Sequence, residues 1–360
     1  MESLFSRNHR VPIQASVAAI TLLLIIGANF YVNLSHSSES SGGDKRAVST
    51  VQRLSLAPSL TAPPDIYGAV RAEDAIWGAD GSENLWKIEV KSGVPQIAFS
   101  LGCSFDDLSV FGSKIYVGCL DEAMHYIVDV AAMRVKSLTA LPCSSSEYGV
   151  TDSLFMKGLL VVTAGKCPGV FVSEEPIGEK WTLISGDSVY SLIADSRNLY
   201  TLALTDNNVR QFDRGGWRSL ANYQIEKPYR GCTLDSGAWI TSQRNPELHF
   251  VRDGQVLSFK PPGFMADTTG DHYWNSALCL DGTVVILDRS ASAVWSFDVE
   301  THSWSVHLLP FSVQPSRFVE PEVPPYLFTD RGGGLLEIEI GNRGRDEQFG
   351  FFGMRVSGAD

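Results

Sequence analysis

The stretch Lys114-Ile115-Tyr116-Val117-Gly118-Cys119 has the composition of a short buried strand, because its β-branched and aromatic residues suit a pleated sheet and a glycine follows them. Six similar stretches occur elsewhere in the chain. The central residues of all seven are Trp77, Tyr116, Val161, Tyr200, Trp239, Val285 and Leu327, at steps of 39, 45, 39, 39, 46 and 42 residues. A repeat near 40 residues is typical of a propeller or another repeat array.

Two further markers keep the same period. A segment that ends in proline closes several units, at 135–142, 256–261 and 306–310, and turn pairs such as Asp253-Gly254 divide the units into four short strands. An aromatic residue precedes each buried stretch: Tyr67, Phe105, Tyr148, Tyr190, Tyr229, Tyr273 with Trp274, and Phe318. The sequence therefore predicts an all-β protein, a seven-bladed β-propeller with six or eight blades as the alternatives, rather than a solenoid.

The ring of a propeller has to close, because an open last sheet exposes an unpaired edge. Residues 51–58 match the proline-ended segment of the repeat, although they precede the first unit. We therefore expect residues 48–57 to complete the last blade as its fourth strand. Residues 349–356 are the other candidate, and we expect them to extend or cover that edge.

Composition excludes some classes of function. With a net charge of −12, the chain lacks the basic surface that nucleic acid requires. The six cysteines form no C-x-x-C pair, so they do not indicate a zinc site. Their even number permits disulfides outside the cytosol. Because Cys119, Cys232 and Cys279 lie in or beside apolar strands, we interpret them as buried free thiols.

The N-terminal region predicts export. No Asp, Glu, Lys or Arg occurs between Arg10 and Glu39, and residues 15–34 are long enough to cross a bilayer as one helix. The arginines before this segment place the N-terminus in the cytoplasm or mitochondrial matrix and the rest of the chain across the membrane. We expect a tail and signal-anchor helix at 1–34, a flexible tether at 35–47 and a propeller domain at 48–360. The alternative is a signal peptide cleaved near Ala28, which leaves a secreted protein.

One unit has a recognisable relationship to known repeats. Residues 229–241 (YRGCTLDSGAWIT) resemble the repeat of the broad β-propeller superfamily that includes NHL-repeat proteins, gluconolactonase-like enzymes and virginiamycin lyase. Residues 296–304 (SFDVETHSW) resemble a kelch unit, without the glycine doublet of kelch blades. The resemblance spans about residues 63–340, and it implies the fold without identifying one family.

The resemblance also implies where a ligand binds. In propellers of this type, the loops that lead into the innermost strands form the ligand-binding face. Here the corresponding positions are Asp65, Tyr67, Asp106, Asp107, Glu147, Tyr148, Tyr190, Tyr229, Arg230, His272, Trp274 and Arg317. Aromatic, acidic and arginine side chains at one channel mouth predict a scaffold that binds a small polar ligand or a partner protein. The alternative is that the aromatic residues pack between blades and the charges are solvated.

A metal-dependent hydrolase or lactonase, or a lyase, is the other functional hypothesis. By resemblance, the gluconolactonase type requires carboxylates and an amide around Ca²⁺, and Asp106, Asp107, Glu147 and Asn275 supply only part of such a set. By resemblance, a virginiamycin-type lyase requires a histidine and Mg²⁺, and His272 is the best-placed histidine. We assign no metal ligand and no catalytic residue from the sequence.

Overall fold

The computed structural model describes residues 51–53, 66–89, 95–235, 237–243, 246–261, 274–280, 282–308, 315–318, 326–329, 335–340 and 352–355. All of the regular secondary structure assigned in these ranges is β-strand. Among the same residues, no helix has the length and apolarity needed to span a membrane. The predicted signal anchor at 15–34 and the tether at 35–47 lie outside the described residues.

The described strands form seven sheets, six with four strands and one with five. The sheets are numbered first to seventh along the chain, and each contains four consecutive strands from β2 onward; β1 joins the sixth. Their bounds are β1 Val51–Arg53; β2 Gly68–Ala72, β3 Ala75–Ala79, β4 Asn84–Glu89, β5 Pro95–Ser100; β6 Leu108–Phe111, β7 Lys114–Gly118, β8 His125–Asp129, β9 Arg134–Ser137; β10 Val150–Met156, β11 Leu159–Ala164, β12 Gly169–Ser173, β13 Thr182–Ser185; β14 Ser191–Ala194, β15 Asn198–Ala203, β16 Asn208–Asp213, β17 Arg218–Gln224; β18 Pro228–Leu234, β19 Gly237–Ser242, β20 Leu248–Arg252, β21 Gln255–Phe259; β22 Trp274–Leu280, β23 Thr283–Asp288, β24 Ala293–Asp298, β25 Ser303–Leu308; β26 Pro315–Phe318, β27 Tyr326–Thr329, β28 Leu335–Ile340, β29 Phe352–Arg355.

The four consecutive strands of each sheet form an antiparallel meander made of hairpins. Asp253 and Gly254 form the two-residue turn between β20 and β21, and their φ angles are 49° and 80°. Positive φ at both positions is required in the type of hairpin turn whose twist matches that of the strands. The second strands, which contain the repeated stretch, are the most buried: every residue of β3 and β11 is buried, whereas every residue of β9 is exposed. The repeated stretch of the sequence therefore corresponds to the buried second strand of the sheets.

The sheets are arranged radially. The first strands of consecutive sheets are neighbours, from β2 beside β6 through β10, β14, β18 and β22 to β26, and β26 is also a neighbour of β2. Apolar side chains fill the space between adjacent sheets. Trp77 and Val117 belong to one core cluster of the first and second sheets, and Trp239 and Trp295 to one of the fifth and sixth. The predicted β-propeller is confirmed as an architecture.

The predicted route of closure is wrong. Residues 51–53 form β1, which pairs in parallel with β25 at the outer edge of the sixth sheet, with Val51 opposite Val306. The fourth strand of the seventh sheet is β29, antiparallel to β28, within the competing segment 349–356. The short connection from β28 to β29 closes a smaller loop than pairing with the distant N-terminal segment, at a lower cost in chain entropy.

The prediction of free thiols is also wrong, since all six cysteines form disulfides: Cys103–Cys119, Cys143–Cys167 and Cys232–Cys279. Cys103 and Cys119 are both buried. The third bridge links β18 to β22 in neighbouring sheets, and both of its cysteines are only partly buried. The apolar neighbourhood in sequence therefore predicted the burial of Cys119 correctly, but it predicted neither the partial exposure of Cys232 and Cys279 nor their pairing across a sheet boundary.

Candidate functional site

The register of the first two strands in each sheet defines equivalent positions around the ring. Asp152 lies opposite Thr163, Ser191 opposite Leu202, and the other sheets follow the same register. One position per sheet forms what we call the neck ring: Gly68, Asp107, Asp152, Ser191, Arg230, Ser276 and the backbone position of Arg317. The preceding position forms the mouth ring: Tyr67, Asp106, Thr151, Tyr190, Tyr229, Asn275 and the backbone position of Ser316.

Four sheets reach the mouth ring through a β-bulge. The pairing of the first strand with the second skips one residue between Val150 and Asp152, and again in the fifth, sixth and seventh sheets. The skipped residues in the third, fifth and sixth sheets are Thr151, Tyr229 and Asn275. A bulge leaves the extra residue outside the ladder and redirects its side chain, and bulges are frequent beside functional sites.

The mouth ring encloses a cavity of about 230 Å³. All six members whose side chains are described line it, and Arg289, which follows β23, is a second arginine in its wall. Tyr67 is 42% exposed, so part of the aromatic surface faces solvent. The cavity thus combines aromatic, acidic, amide and basic side chains in a space suited to a small molecule.

A buried ion pair lies at the neck. Arg230 Nη1 donates to Asp152 Oδ2 at 3.0 Å, and the two side chains are 12% and 8% exposed. Asp152 also accepts hydrogen bonds from the backbone N–H groups of Ser153 and Leu192 and, at 2.6 Å, from the hydroxyl of Ser191. Asp107 accepts a hydrogen bond from Ser153 Oγ at 3.0 Å. The neck is therefore a polar network that connects the second, third, fourth and fifth sheets.

Arg230 lies where the mouth cavity and the central channel meet, because it lines both. Its guanidinium lies 5.4 Å from the ring centre of Tyr190 and 5.7 Å from that of Tyr229, which stack on each other at 5.0 Å with their hydroxyls 3.1 Å apart. Burial favours the neutral form of Arg230, but the Asp152 carboxylate outweighs it and raises the pKa of the guanidinium. Arg230 is thus a permanent cation beneath the mouth.

One donor of Arg230 lacks an acceptor among the described residues. Its Nε is buried, and no hydrogen-bond partner for it occurs among the residues that the structure describes. Buried donors are normally paired with protein or water. We therefore expect an oxygen atom of water or of a ligand to reach this nitrogen when the neck is occupied.

Below the neck, the central channel has a volume of about 940 Å³. Its wall is polar at the neck, where Ser276 joins the charged residues. Farther along the first strands the wall combines apolar residues, such as Ile193 and Leu278, with Ser109 and Arg71. The disulfide Cys232–Cys279 also lines the channel. A polar ligand therefore finds hydrogen-bonding partners at the mouth and neck and, through residues such as Arg71, in the channel as well.

The structure brings together six of the predicted site residues: Tyr67, Asp106, Asp107, Tyr190, Tyr229 and Arg230. Tyr148 is not at the mouth. It is buried in the core beside His125, and its hydroxyl accepts a hydrogen bond from the N–H of Leu141 at 2.8 Å. Glu147 forms an ion pair with Lys166 and lines neither cavity.

Trp274 is likewise a core residue, because its fully buried indole donates to Asp288 at 3.2 Å. Asp65 and His272 lie outside the described residues, and for Arg317 the structure describes the backbone position only. Sequence reasoning missed Thr151, Asp152, Ser191 and Arg289. A shared position relative to the second strand was the available signal for the first three. In the third sheet a bulge adds to the distance between this position and the aromatic marker, whereas in the fourth sheet Ser191 directly follows the marker Tyr190.

A divalent metal does not fit the described residues of the neck. Asp107 and Asp152 are its only described carboxylates, and Asp152 already accepts hydrogen bonds from four donors, one of them the cationic Arg230. A guanidinium in the coordination sphere would repel Ca²⁺ or Mg²⁺. Within the described ranges, no group of three or more His, Cys, Asp or Glu residues is arranged to hold a metal.

Comparisons with known proteins identify the fold. No family model and no curated protein matches the chain. A streptogramin B lyase structure covers 78% of this chain and 96% of its own, with a TM-score of 0.64 and 11% identity. A catalytically inactive virginiamycin B lyase from Staphylococcus aureus with quinupristin covers 74% and 92%, with a TM-score of 0.62 and 10% identity. U3-55K covers 78% and 89%, with a TM-score of 0.60 and 14% identity.

At this level of identity the likeness concerns the fold alone, and the matched proteins differ in what their names describe. The resemblance noted in residues 229–241 is confirmed in the same sense. The chain has a β-propeller fold, similar to the fold of the streptogramin B and virginiamycin B lyase structures.

Proposed function

We propose that this protein is a membrane-anchored, extracytoplasmic, seven-bladed β-propeller that binds a small polar ligand, or a segment of a partner protein, at the mouth ring. Binding rather than catalysis is the proposed activity. The observation behind it is the cavity built by equivalent positions of six sheets and bounded below by Arg230. Pockets of this kind, with few polar groups among aromatic side chains, are the usual form of a ligand site.

Two observations support an extracytoplasmic location. The uncharged segment at 15–34 has the length of a bilayer-spanning helix. The six paired cysteines suit an oxidising compartment, since disulfides rarely persist in the cytosol. Deleting residues 1–34 is expected to release the protein from the membrane fraction of expressing cells. Continued membrane association of the shortened chain would contradict the proposed anchor.

The lack of basic surface supports the further proposal that nucleic acid is not a partner. The metal-dependent hydrolase or lyase remains the second candidate named from the sequence. The described neck residues do not favour it, because Arg230 stands where an ion would bind.

The binding function is tested with purified full-length protein and a panel of amino acids, sugars, small carboxylates and short peptides, measured by ligand-observed NMR. Tyr229→Ala removes aromatic surface from the mouth and is expected to weaken any hit at least about tenfold. Leu257→Ala, at an exposed position of outer strand β21, is the matched truncation control and should leave binding unchanged. Equal affinity of the wild type and Tyr229→Ala for every hit would exclude the mouth as the site.

A further inference from the structure

The charges around the opening are separated by sign. The acidic groups Asp106, Asp107 and Asp152 come from the second and third sheets. The basic groups of the mouth cavity, Arg230 and Arg289, come from the fifth and sixth sheets, and Arg71 of the first sheet lines the central channel. The second and sixth sheets are not neighbours in the ring, so Asp106 and Arg289 come from different sides of the opening. The Arg230 guanidinium reaches across the fourth sheet and pairs with Asp152. The mouth therefore presents an acidic side and a basic side to whatever lies between them.

The side chains that reach the mouth cavity keep this separation. Asp106 is the acidic residue among the described residues of the cavity wall, and Arg230 with Arg289 are the basic ones. Asp152 faces away toward the channel, where its oxygens are already occupied by Arg230, Ser191 and two backbone N–H groups. An ammonium group is attracted to the first side of the cavity and a carboxylate to the second.

We propose that the mouth ring recognises a zwitterion, an α-amino acid with an aromatic or apolar side chain. Its ammonium group faces Asp106, its carboxylate faces Arg289 and Arg230, and its side chain packs on the aromatic members of the ring. Tyr67 and the stacked pair Tyr190–Tyr229 supply that apolar surface. This inference rests on the proposed function and adds the chemical class of the ligand.

Size is consistent with this class. A cavity of about 230 Å³ holds a single amino acid but is small for an oligosaccharide or a folded partner. A guanidinium matches the planar geometry of a carboxylate better than an ammonium does, so arginine on the basic side favours a carboxylate. A cation alone would gain nothing from the basic side, and an anion alone would be repelled by the acidic side.

Four related compounds separate the contributions: L-phenylalanine, N-acetyl-L-phenylalanine, L-phenylalanine amide and N-acetyl-L-phenylalanine amide. They have similar shapes and present a zwitterion, an anion, a cation and a neutral molecule. Binding to the full-length protein is measured by calorimetry or NMR at concentrations up to about 50 mM, because a small ligand of this kind is expected to bind with a Kd on the order of 1 mM. Loss of either charged group is expected to weaken binding about tenfold.

Two charge-removing substitutions assign the partners. Asp106→Asn should abolish the preference for phenylalanine over its N-acetyl derivative while keeping the preference for the acid over the amide. Arg289→Gln should abolish the preference for the acid over the amide while keeping the preference for phenylalanine over its N-acetyl derivative. Asp74→Asn in the β2–β3 turn and Arg218→Gln in β17, at exposed positions on the opposite side of the sheets from the mouth, make the same chemical changes and should leave all four affinities unchanged. Melting temperatures show whether each variant is folded, since Asp106 and Arg289 make other contacts as well.

Each outcome decides the inference. Tightest binding of the zwitterion, with the two selective losses, supports it. Equal affinities for all four compounds, or equal affinities for phenylalanine and N-acetyl-phenylalanine, overturn it but leave a binding mouth intact. Binding of none of the four overturns it too. The proposed function fails as well only when the wider panel also gives no hit that depends on Tyr229.

Discussion

Removing the acid of the neck ion pair is expected to destabilise the whole domain. Asp152→Ala leaves the Arg230 guanidinium buried without a counter-charge and removes the acceptor of the backbone N–H groups of Ser153 and Leu192. Because both charged side chains are close to nine-tenths buried, solvent screening is weak. The loss of one partner of such a pair costs about 3–5 kcal/mol.

A double-mutant cycle isolates the pair from the surrounding network. Arg230→Met alone leaves the Asp152 carboxylate without its cation and is expected to cost a similar amount. Asp152→Ala combined with Arg230→Met removes both charges, so its cost should be close to that of one single substitution. The coupling free energy between the two positions is then at least about 2 kcal/mol.

Urea unfolding of the full-length protein, followed by tryptophan fluorescence, measures the four free energies of unfolding. Asp187→Ala is the control, because Asp187 pairs with Arg210 where both side chains are about one-third exposed, and such a pair contributes about 0–1 kcal/mol. If the two neck substitutions are additive within about 0.5 kcal/mol, the ion pair does not hold the neck together and the structural argument for it is refuted.

Three other perturbations test the rest of the fold. Asp288→Ala removes the buried acceptor of two indole N–H groups in the sixth sheet and should lower the free energy of unfolding in urea by about 2–4 kcal/mol. A loss smaller than that caused by replacing an exposed aspartate with alanine would be inconsistent with the network. Dithiothreitol should reduce the channel-lining disulfide Cys232–Cys279 before the fully buried disulfide Cys103–Cys119, and mass spectrometry after alkylation measures the order. The opposite order would show that access does not control the reaction. Burial lowers the pKa of His125 from 6.5 to about 4, so the unfolded chain takes up a proton at a higher pH than the folded protein does, and the free energy of unfolding falls as the pH decreases from 6.5 to 4. In His125→Phe the slope of the free energy of unfolding against pH should be smaller by about 1.4 kcal/mol per pH unit. An unchanged slope would show that His125 is protonated in the folded protein.

The architecture could be predicted from the sequence because the repeated stretch is a burial signal. The second strand of each sheet is enclosed by its neighbours on both faces, so each unit needs a short apolar stretch there, and Tyr116 and Tyr200 are fully buried as that stretch predicts. The proline-ended segments likewise coincide with outer strands β9, β21 and β25. What fixed the fold was local in sequence and repeated along the chain.

The site could be predicted only in part, because the aromatic marker does not have one structural meaning. In the fourth and fifth sheets the marker is Tyr190 or Tyr229 and lies in the mouth ring. In the third sheet it is Tyr148, three residues before the mouth position Thr151, and its ring contributes to the core next to His125. An aromatic residue suits both environments, so its identity alone cannot distinguish them.

Pairing across distant parts of the chain was also beyond the sequence. Cys232 and Cys279 are 47 residues apart and meet only because the fifth and sixth sheets are adjacent. The ion pair of Asp152 with Arg230 spans 78 residues and reaches across the fourth sheet. Neither contact has a local pattern, because each depends on how the ring of sheets closes.

The bulges show how one repeat can build both a regular core and an irregular opening. Beyond the bulge, the ladder of each first strand keeps its register with the second strand, so the packing between sheets is preserved. At the bulge, one residue of each bulged sheet lies outside the ladder, and its chemical type differs from sheet to sheet. Thr151, Tyr229 and Asn275 occupy this equivalent position. Variation at the mouth therefore costs the core little, because the bulge separates the two. A site of mixed charge and aromatic character is where such a ring is expected to carry its specificity.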